Sequence, residues 1–198
     1  MKMRKVLSAL LVAACTLSLA ACGSSSSKSE TTGASGETAA GSANTAKVID
    51  VDLTSEEYAF GVDKTQPELL EQTNTFIQKI KDDGTLDAIC AKYFGDGEPE
   101  AVESAELDSS KDQLVVATNA AFEPFEYTKG DQYYGIDMEI AKLLADELGK
   151  ELVIQNMDFD AVCLSVSQQK CDIAMAGLTI NEEREEYVTF TDSYYSAS

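Results

Sequence analysis

The sequence contains neither histidine nor tryptophan, and only 15 of its 198 residues are lysine or arginine. Because histidine is absent, histidine-based metal sites, Ser–His–Asp triads and Cys–His nucleophiles are all excluded. The 35 aspartate and glutamate residues bring the formal net charge to −20, which repels phosphate groups. We therefore predict no nucleic-acid partner, no metal, no cofactor and no catalytic residue. The hydrophobic residues, 44% of the chain, suffice for a folded core.

The first 21 residues have the layout of an export signal. Met1–Lys5 is basic, and the apolar stretch that follows is too short and too interrupted to span a membrane. It ends in Leu-Ala-Ala-Cys-Gly at residues 19–23, which resembles the lipobox of bacterial lipoproteins. That resemblance implies a signal peptide over residues 1–21 and lipidation of Cys22. An ordinary signal cleavage, or a chance cysteine, is the alternative.

Residues 23–46 consist almost entirely of serine, threonine, glycine and alanine, which is typical of a flexible linker. Together with the lipidated cysteine they form a predicted tether over residues 22–46. The folded part would then lie at the outer face of the cytoplasmic membrane, periplasmic or extracellular, held through the lipid anchor only. In such a compartment a disulfide is allowed among Cys90, Cys163 and Cys171, and buried free thiols are the alternative.

The first folded segment, within residues 47–95, is predicted to hold one strand and two helices. Residues 58–62 have strand character, and a helix begins at Pro67 and stops at Gly84. A second helix begins at Thr85, and each helix has one apolar face. Residues 96–111 then lose this periodicity and carry many acidic side chains, which predicts a solvated acidic linker.

From residue 112 onward, predicted strands alternate with predicted helices. The strands are 114–118, 152–154, 173–176 and 187–191, and the helical segments are 136–148, 158–169 and a short turn at 181–186. A loop joins the first of these strands to the first helix. The alternation predicts an α/β fold with a parallel sheet flanked by helices. Ligands bind such sheets at the carboxyl ends of the strands.

Side chains suited to ligand binding follow three of those strand ends. Phe122 and Phe159 offer aromatic faces, Gly177 permits close backbone approach, and Thr179 adds a hydroxyl group. Arg184 can hold a carboxylate through two parallel hydrogen bonds. The alternatives are a surface ion pair between the arginine and neighbouring glutamates, and core packing for the phenylalanines.

Three stretches of this region resemble one known family, in the family's own order. They are VVATNAAFEPFEY, GIDMEIAKLLADELGKELVIQNMDFDAV and KCDIAMAGLTINEEREEYVTFTDSYY, within residues 114–195. The family is the polar amino acid-binding proteins of ABC importers, extracellular solute-binding family 3, with the two-lobed type II periplasmic-binding fold. The resemblance implies a protein that captures a free amino acid for an ABC transporter permease and is not an enzyme.

The resemblance also implies a role for each candidate residue. The ligand's α-carboxylate would be held by three of them, Gly177, Thr179 and Arg184. Its side chain would lie between Phe122 and Phe159 and would face Asn119. Because binders of basic amino acids often carry aspartate at that last position, we predict a neutral or polar amino acid rather than a basic one. A cyclohexadienyl or arogenate dehydratase on the same fold, and the ligand-sensing module of a receptor, are the alternative functions.

Two features depart from the family's layout. Residues 58–95 resemble the segment that normally ends the family's chain, but here they come first. We interpret residues 47–95 as a circularly permuted closing segment of lobe 1, joined by the linker at 96–111 to the rest of that lobe at 112–198. A tail left by a fused neighbouring copy is the alternative. The second lobe is largely absent, so we expect either a fragment of a longer protein or a half-site that binds weakly.

Overall fold

The computed structural model describes residues 55–197. Outside the described residues lie the signal peptide predicted at residues 1–21, Cys22 with its tether at 22–46, residues 47–54, and residue 198. Within the described range, no helix is long and apolar enough to cross a membrane.

Ten strands and five helices make up this part of the chain. In chain order they are β1 (Glu56–Tyr58), β2 (Gly61–Asp63), α1 (Pro67–Asp82), α2 (Thr85–Phe94), β3 (Gln113–Thr118), β4 (Ala121–Phe122), β5 (Glu126–Lys129), β6 (Gln132–Tyr134), α3 (Ile136–Leu148), β7 (Glu151–Asn156), α4 (Phe159–Ser167), β8 (Ile173–Ala174), α5 (Glu182–Glu185), β9 (Val188–Phe190) and β10 (Tyr195–Ala197). The helices predicted from the sequence are confirmed, with ends that differ by at most two residues.

Five of the strands form the central sheet, in the order β7–β3–β8–β2–β9. β3 runs parallel to β7 and β8, whereas β2 runs antiparallel to both of its neighbours, β8 and β9. The predicted α/β class with flanking helices is confirmed, but the sheet is mixed rather than wholly parallel. The reason is that β2 reaches the sheet from the segment before the linker, so no βαβ crossover sets its direction.

Helices cover both faces of this sheet. Phe76 of α1 and Ile140 of α3 share one buried cluster with Val62 of β2. On the opposite face, Val162 of α4 packs in a second cluster with Ala117 of β3. The segment before the linker therefore contributes a strand and a helix face to the same core as the residues after it.

Local chemistry explains the first helix. Proline tolerates the first helical position because its missing N–H has no partner there in any case, and Pro67 occupies it. The buried face consists of Leu69, Thr73, Phe76, Ile77 and Ile80. Gly84 follows the helix with φ +81°, a left-handed conformation in which glycine is favoured.

The strand predicted at residues 58–62 is interrupted in the structure. Ala59 and Phe60 lie between β1 and β2, and their N–H groups donate to the Leu178 carbonyl oxygen at 3.0 Å and the Thr191 hydroxyl at 3.0 Å. These partners belong to two separate loops rather than to one neighbouring strand. The short apolar run at residues 58–62 could not distinguish such bonding from a continuous ladder.

Two predicted irregular regions have more structure than expected. The loop after β3 contains β4, β5 and β6, which form a small antiparallel sheet. The acidic side chains of residues 96–111 are exposed, as expected, but the linker is docked rather than solvated. The Val102 N–H donates to the Tyr133 carbonyl oxygen at 2.8 Å, and Ser104 Oγ accepts the Ile154 N–H at 2.8 Å. Composition predicted the exposed charges but not these backbone contacts.

The three cysteines among residues 55–197 carry free thiols. Cys163 and Cys171 are buried and Cys90 is half-buried, so the disulfide allowed by the sequence is not formed in this structure. Burial raises the pKa of all three thiols, which keeps them protonated and unreactive.

Candidate functional site

The carboxyl ends of β3, β7 and β8 open onto one cavity of about 320 Å³. Its lining includes all six residues selected from the sequence, Asn119, Phe122, Phe159, Gly177, Thr179 and Arg184. It also includes Tyr58, Ala121, Glu126 and Ala176. Parallel strands end at one edge of a sheet, so residues far apart in the chain are brought together there.

Two phenylalanine rings are exposed at this cavity. Phe122 is 44% exposed and Phe159 is 40% exposed, so neither is the buried core residue that the alternative interpretation required. Phe122 stacks on Phe125 with their ring centroids 5.5 Å apart. The Arg184 guanidinium lies over the Phe159 ring, with Cζ 5.0 Å from the ring centroid. The cavity therefore offers aromatic surface beside a positive charge.

Arg184 is bound to its own loop rather than to a carboxylate. Its Nη1 donates to the Thr179 carbonyl oxygen at 2.8 Å, and its backbone N–H donates to Asn181 Oδ1 at 2.9 Å. None of the ion pairs among residues 55–197 includes Arg184, although glutamates surround it in α5. The surface ion pair considered from the sequence is therefore not formed. The guanidinium retains donors for an anionic ligand.

The loop after β8 differs from the carboxylate cradle that the sequence predicted. The Gly177 N–H donates to Asp137 Oδ2 at 2.9 Å, so it is already occupied. Gly177 has φ +52°, and a Cβ on it would lie 3.0 Å from the Phe122 ring. The glycine therefore gives Phe122 its space. The Thr179 hydroxyl donates to Glu56 Oε2 at 2.9 Å, so a ligand carboxylate must replace Glu56 there.

Asn119 connects two strand ends. Its Nδ2 donates to the Met157 carbonyl oxygen at 2.7 Å, which joins the end of β3 to the residues after β7. The adjacent Ala120 N–H donates to Asn156 Oδ1 at 2.9 Å. The Asn119 amide nitrogen is thus used within the chain, and this residue by itself does not set the charge of a ligand.

Sequence reasoning missed Glu126, the first residue of β5. Its side chain is 1% exposed and lines the cavity. Its Oε2 has no hydrogen-bond partner among the described residues. Burial, and secondarily the charge of Asp137, raise the pKa of the Glu126 carboxyl. The available signal was an acidic residue between Phe125 and Tyr127, because large aromatic neighbours in a strand favour burial.

Asp137, in the first turn of α3, is the second buried carboxyl that the sequence did not indicate. Its Oδ2 accepts the Gly177 N–H, and its Oδ1 accepts the Tyr194 hydroxyl. Burial raises the pKa of Asp137, and these two hydrogen bonds oppose the rise. Asp137 thereby fixes the glycine loop that borders the cavity. No group of three or more metal-ligating side chains is found between residues 55 and 197.

Residues 114–198 match the family model for bacterial extracellular solute-binding proteins, family 3. Over these residues, the chain is similar to that family. The match confirms the resemblance seen in the sequence and covers every part of the cavity lining except Tyr58. The candidate residues therefore lie in the part of the chain that is similar to its relatives.

Individual relatives include both a binding protein and an enzyme. The arginine-binding extracellular protein ArtP of Bacillus subtilis is 38% identical over 91 residues, which are 46% of this chain and 36% of ArtP. The cyclohexadienyl dehydratase of Pseudomonas aeruginosa is 35% identical over 82 residues, 41% of this chain and 31% of the enzyme. The chain spans about a third of the length of these curated relatives.

Among solved structures, the arginine-bound form of domain 1 from TmArgBP is 38% identical to this chain. The alignment covers 46% of this chain and 74% of that domain, with a TM-score of 0.41.

The prediction of a neutral or polar ligand is wrong. ArtP binds arginine, a basic amino acid, and matched relatives include other arginine-binding proteins and a histidine-binding one. The prediction rested on asparagine in place of aspartate at position 119, yet the amide there is bound to the Met157 carbonyl oxygen. The cavity's carboxyl group comes instead from Glu126, which the sequence pattern did not single out.

Proposed function

We propose that this chain supplies the amino acid-binding lobe of an extracytoplasmic solute-binding protein that captures a basic amino acid. One observation carries the proposal. The cavity contains a guanidinium without an ion-pair partner, Arg184, and a carboxyl group with an unpartnered oxygen, Glu126, together with two exposed aromatic rings. A basic amino acid has a carboxylate, an aliphatic stem and a cationic end, which complement these three features.

Each lining residue has a role in the proposed complex. Arg184 holds the α-carboxylate through paired hydrogen bonds, and the Thr179 hydroxyl donates to the same group. Phe122 and Phe159 pack against the aliphatic stem of the ligand. Glu126 accepts hydrogen bonds from the cationic end. The similarity to ArtP, an arginine-binding protein, supports a basic amino acid as the ligand.

Isothermal titration calorimetry with a panel of amino acids tests this proposal. Because a single lobe encloses less of a ligand than two lobes do, the titrations need high protein concentrations. We expect heat from arginine, lysine or histidine, and none from aspartate or glutamate. Glu147→Gln, which changes an exposed carboxyl on α3, is a control that should bind like the parent. Binding of acidic amino acids only, or of no amino acid, would contradict the proposal.

We further propose that Cys22 carries a lipid anchor. We also propose that the protein, once it has bound its amino acid, delivers it to an ABC transporter permease. The lipobox-like sequence at residues 19–23 and the tether after it support the anchor. The family of binding proteins supports the permease. Cys22→Ala should move the expressed protein from the membrane fraction to the soluble fraction. If the Cys22→Ala variant stayed in the membrane fraction after extraction with salt, as the parent does, the result would argue against lipidation of Cys22.

The order of segments supports circular permutation of lobe 1, with the closing segment at 47–95, the linker at 96–111 and the remainder at 112–198. β2 lies between β8 and β9 in the sheet, and β1 pairs with β10 so that Glu56 faces Ala197. A tail that belonged to another copy would not need to fill an interior strand position between β8 and β9. Deletion of residues 47–95 should therefore prevent cooperative folding of 112–198. A deleted chain with an unchanged unfolding midpoint would favour the alternative.

Dehydration of a cyclohexadienyl acid is a second candidate function. The Pseudomonas aeruginosa relative supports it, as does the raised pKa of Glu126, because a protonated carboxyl beside an arginine can act as a general acid. Prephenate or arogenate incubated with the chain would then yield phenylpyruvate or phenylalanine. Absence of both products, together with arginine binding, would leave ligand capture as the function.

A further inference from the structure

Two buried carboxyl groups meet beside the cavity with no cation to neutralise them. Asp137 Oδ2 accepts the Gly177 N–H at 2.9 Å, and a Cβ on Gly177 would lie 3.8 Å from Glu126 Oε1. Both carboxyls therefore flank the same glycine. Glu126 is 1% exposed and Asp137 is fully buried. None of the ion pairs found between residues 55 and 197 includes either one.

We propose that binding of a basic amino acid in this cavity releases one proton from the Glu126–Asp137 pair. The proposal rests on the proposed function and adds to it a coupling between capture and proton release. Two buried carboxyl groups that flank one glycine are unfavourable as two carboxylates when no counter-charge pairs with them among residues 55–197. The empty cavity therefore keeps one proton on the pair, and the pair titrates as a unit.

Hydrogen bonding decides where this proton resides. Asp137 accepts two hydrogen bonds, from the Gly177 N–H and the Tyr194 hydroxyl, and both favour its ionised form. Glu126 Oε2 is buried and accepts none among the described residues, while the Glu126 residue lines the cavity. The proton is therefore held by Glu126, the member of the pair that borders the cavity.

The proton balance of the binding step follows from this arrangement. As the cationic end of the ligand arrives, the O–H bond of Glu126 breaks and the proton passes to solvent or buffer. The carboxylate that remains pairs with the ligand cation, so the positive charge of the ligand replaces that of the released proton. A neutral ligand of the same shape, such as citrulline, brings no charge and releases no proton.

Other ionisable groups near the pair do not supply this proton. Burial raises the pKa of the Tyr58 and Tyr194 hydroxyls and of the Cys90 thiol, so these groups stay protonated near neutral pH. Arg184 also lines the cavity but cannot lose its charge. Glu56 lies farther along the rim, where it accepts the Thr179 hydroxyl.

Calorimetry in several buffers measures the released protons. Arginine is titrated into the chain at pH 7 in buffers with small and large heats of ionisation, and the slope of the observed heat counts the protons. We expect about one proton released per arginine and none per citrulline. Glu126→Gln should release no proton with arginine, whereas the exposed control Glu147→Gln should release one. Arginine heats that do not depend on the buffer would overturn the proposal.

Infrared spectroscopy of the ligand-free chain separates this proposal from the proposed function. The parent should show the C=O stretch of a protonated carboxyl at neutral pH, and Glu126→Gln should lack it. If arginine binds but the band is missing, proton release is wrong and ligand capture stands. If the band is present but no amino acid binds, the proposed function fails and the release step fails with it.

Discussion

Cavities at opposite edges of the central sheet satisfy their polar groups in different ways. At the amino ends of the parallel strands, a cavity of about 470 Å³ is lined by residues that include Asp172 and Lys150. Asp172 accepts the Gln66 side-chain amide at 3.1 Å and the Val115 N–H at 2.8 Å, one on each oxygen. Lys150 forms an ion pair with Asp112. Both of these charged side chains have partners among residues 55–197, although the buried Asp63 at the end of β2 has one carboxylate oxygen without a partner there.

The smaller cavity at the carboxyl ends leaves its charges without such partners. Arg184 has no carboxylate, and one oxygen of Glu126 has no donor among residues 55–197. Buried polar groups in proteins are normally satisfied, so the unpartnered Glu126 oxygen makes this cavity a candidate ligand site, because the cavity also contains a guanidinium that forms no ion pair among residues 55–197. The two edges differ in that one ligand with a carboxylate and a cationic end could satisfy both groups at the smaller cavity.

Removal of Arg184 should give the largest difference in amino acid affinity between changes at the two edges of the sheet. Arg184→Ala removes the charged contact to the ligand carboxylate and should weaken amino acid binding by about 2–5 kcal/mol. Lys150→Ala, the matched change at the opposite edge, should leave affinity unchanged. Calorimetry on both variants measures the difference, and circular dichroism checks that each is folded. Equal amino acid affinities for the two variants would contradict a binding role for Arg184.

Replacement of the buried carboxyl tests its role in selecting the ligand's charge. Glu126→Gln keeps the shape of the side chain but cannot carry a negative charge. It should weaken arginine binding by about 1.5–3 kcal/mol, the range for hydrogen bonds to charged groups. Citrulline affinity, measured in parallel, should stay within a factor of a few. A similar loss for both ligands would mean that Glu126 acts through packing alone.

The opposite edge should respond in stability rather than in binding. Asp172→Ala removes the acceptor from two donors, the Gln66 amide and the Val115 N–H, and should lower the free energy of unfolding by about 1–3 kcal/mol. Urea denaturation measures the loss. Amino acid affinity should be that of the parent wherever the variant is folded. A changed amino acid affinity in folded Asp172→Ala would show that this edge also influences ligand binding.

The buried carboxyl should also make stability depend on pH. Its pKa is raised in the folded state, so above its ordinary value of 4.5 the unfolded chain releases a proton that the folded chain retains. Stability should therefore fall as pH rises. Glu126→Gln has no proton to retain at this position, so this source of destabilisation at higher pH is removed. The difference in free energy of unfolding between Glu126→Gln and the parent should shift in favour of the variant by about 1 kcal/mol or more from pH 4 to pH 8. Thermal unfolding at both pH values measures it, and a constant difference would refute the raised pKa.

Helices were predicted more accurately than strands. α1 and α3 each have an apolar face repeated over several turns and a glycine with positive φ just beyond, so local information suffices. The strands of the β4–β6 sheet have two to four residues, too few for a period to be read. The direction of β2 depends on pairing across more than a hundred residues, which no local pattern encodes.

The candidate site was predicted in its location and only partly in its chemistry. Strand ends and the family resemblance selected six residues that the structure brings to one cavity. They did not select Glu126 or Asp137, because the importance of these carboxyls comes from burial and from each other's proximity. The inference drawn from Asn119 was wrong for the same reason, since the contact made by its amide is a tertiary one.

The sequence by itself determined the acidic character of this protein, its exclusion from histidine chemistry, its resemblance to one family and the helices that build its core. Those properties depend on composition, on order along the chain and on periodicities of a few residues. Only the tertiary structure decided that β2 enters the sheet between β8 and β9, that Arg184 has no ion-pair partner among residues 55–197 and that two buried carboxyls flank the same glycine. Charge and proton affinity depend on what surrounds a side chain in space, and those surroundings form only when distant segments pack together.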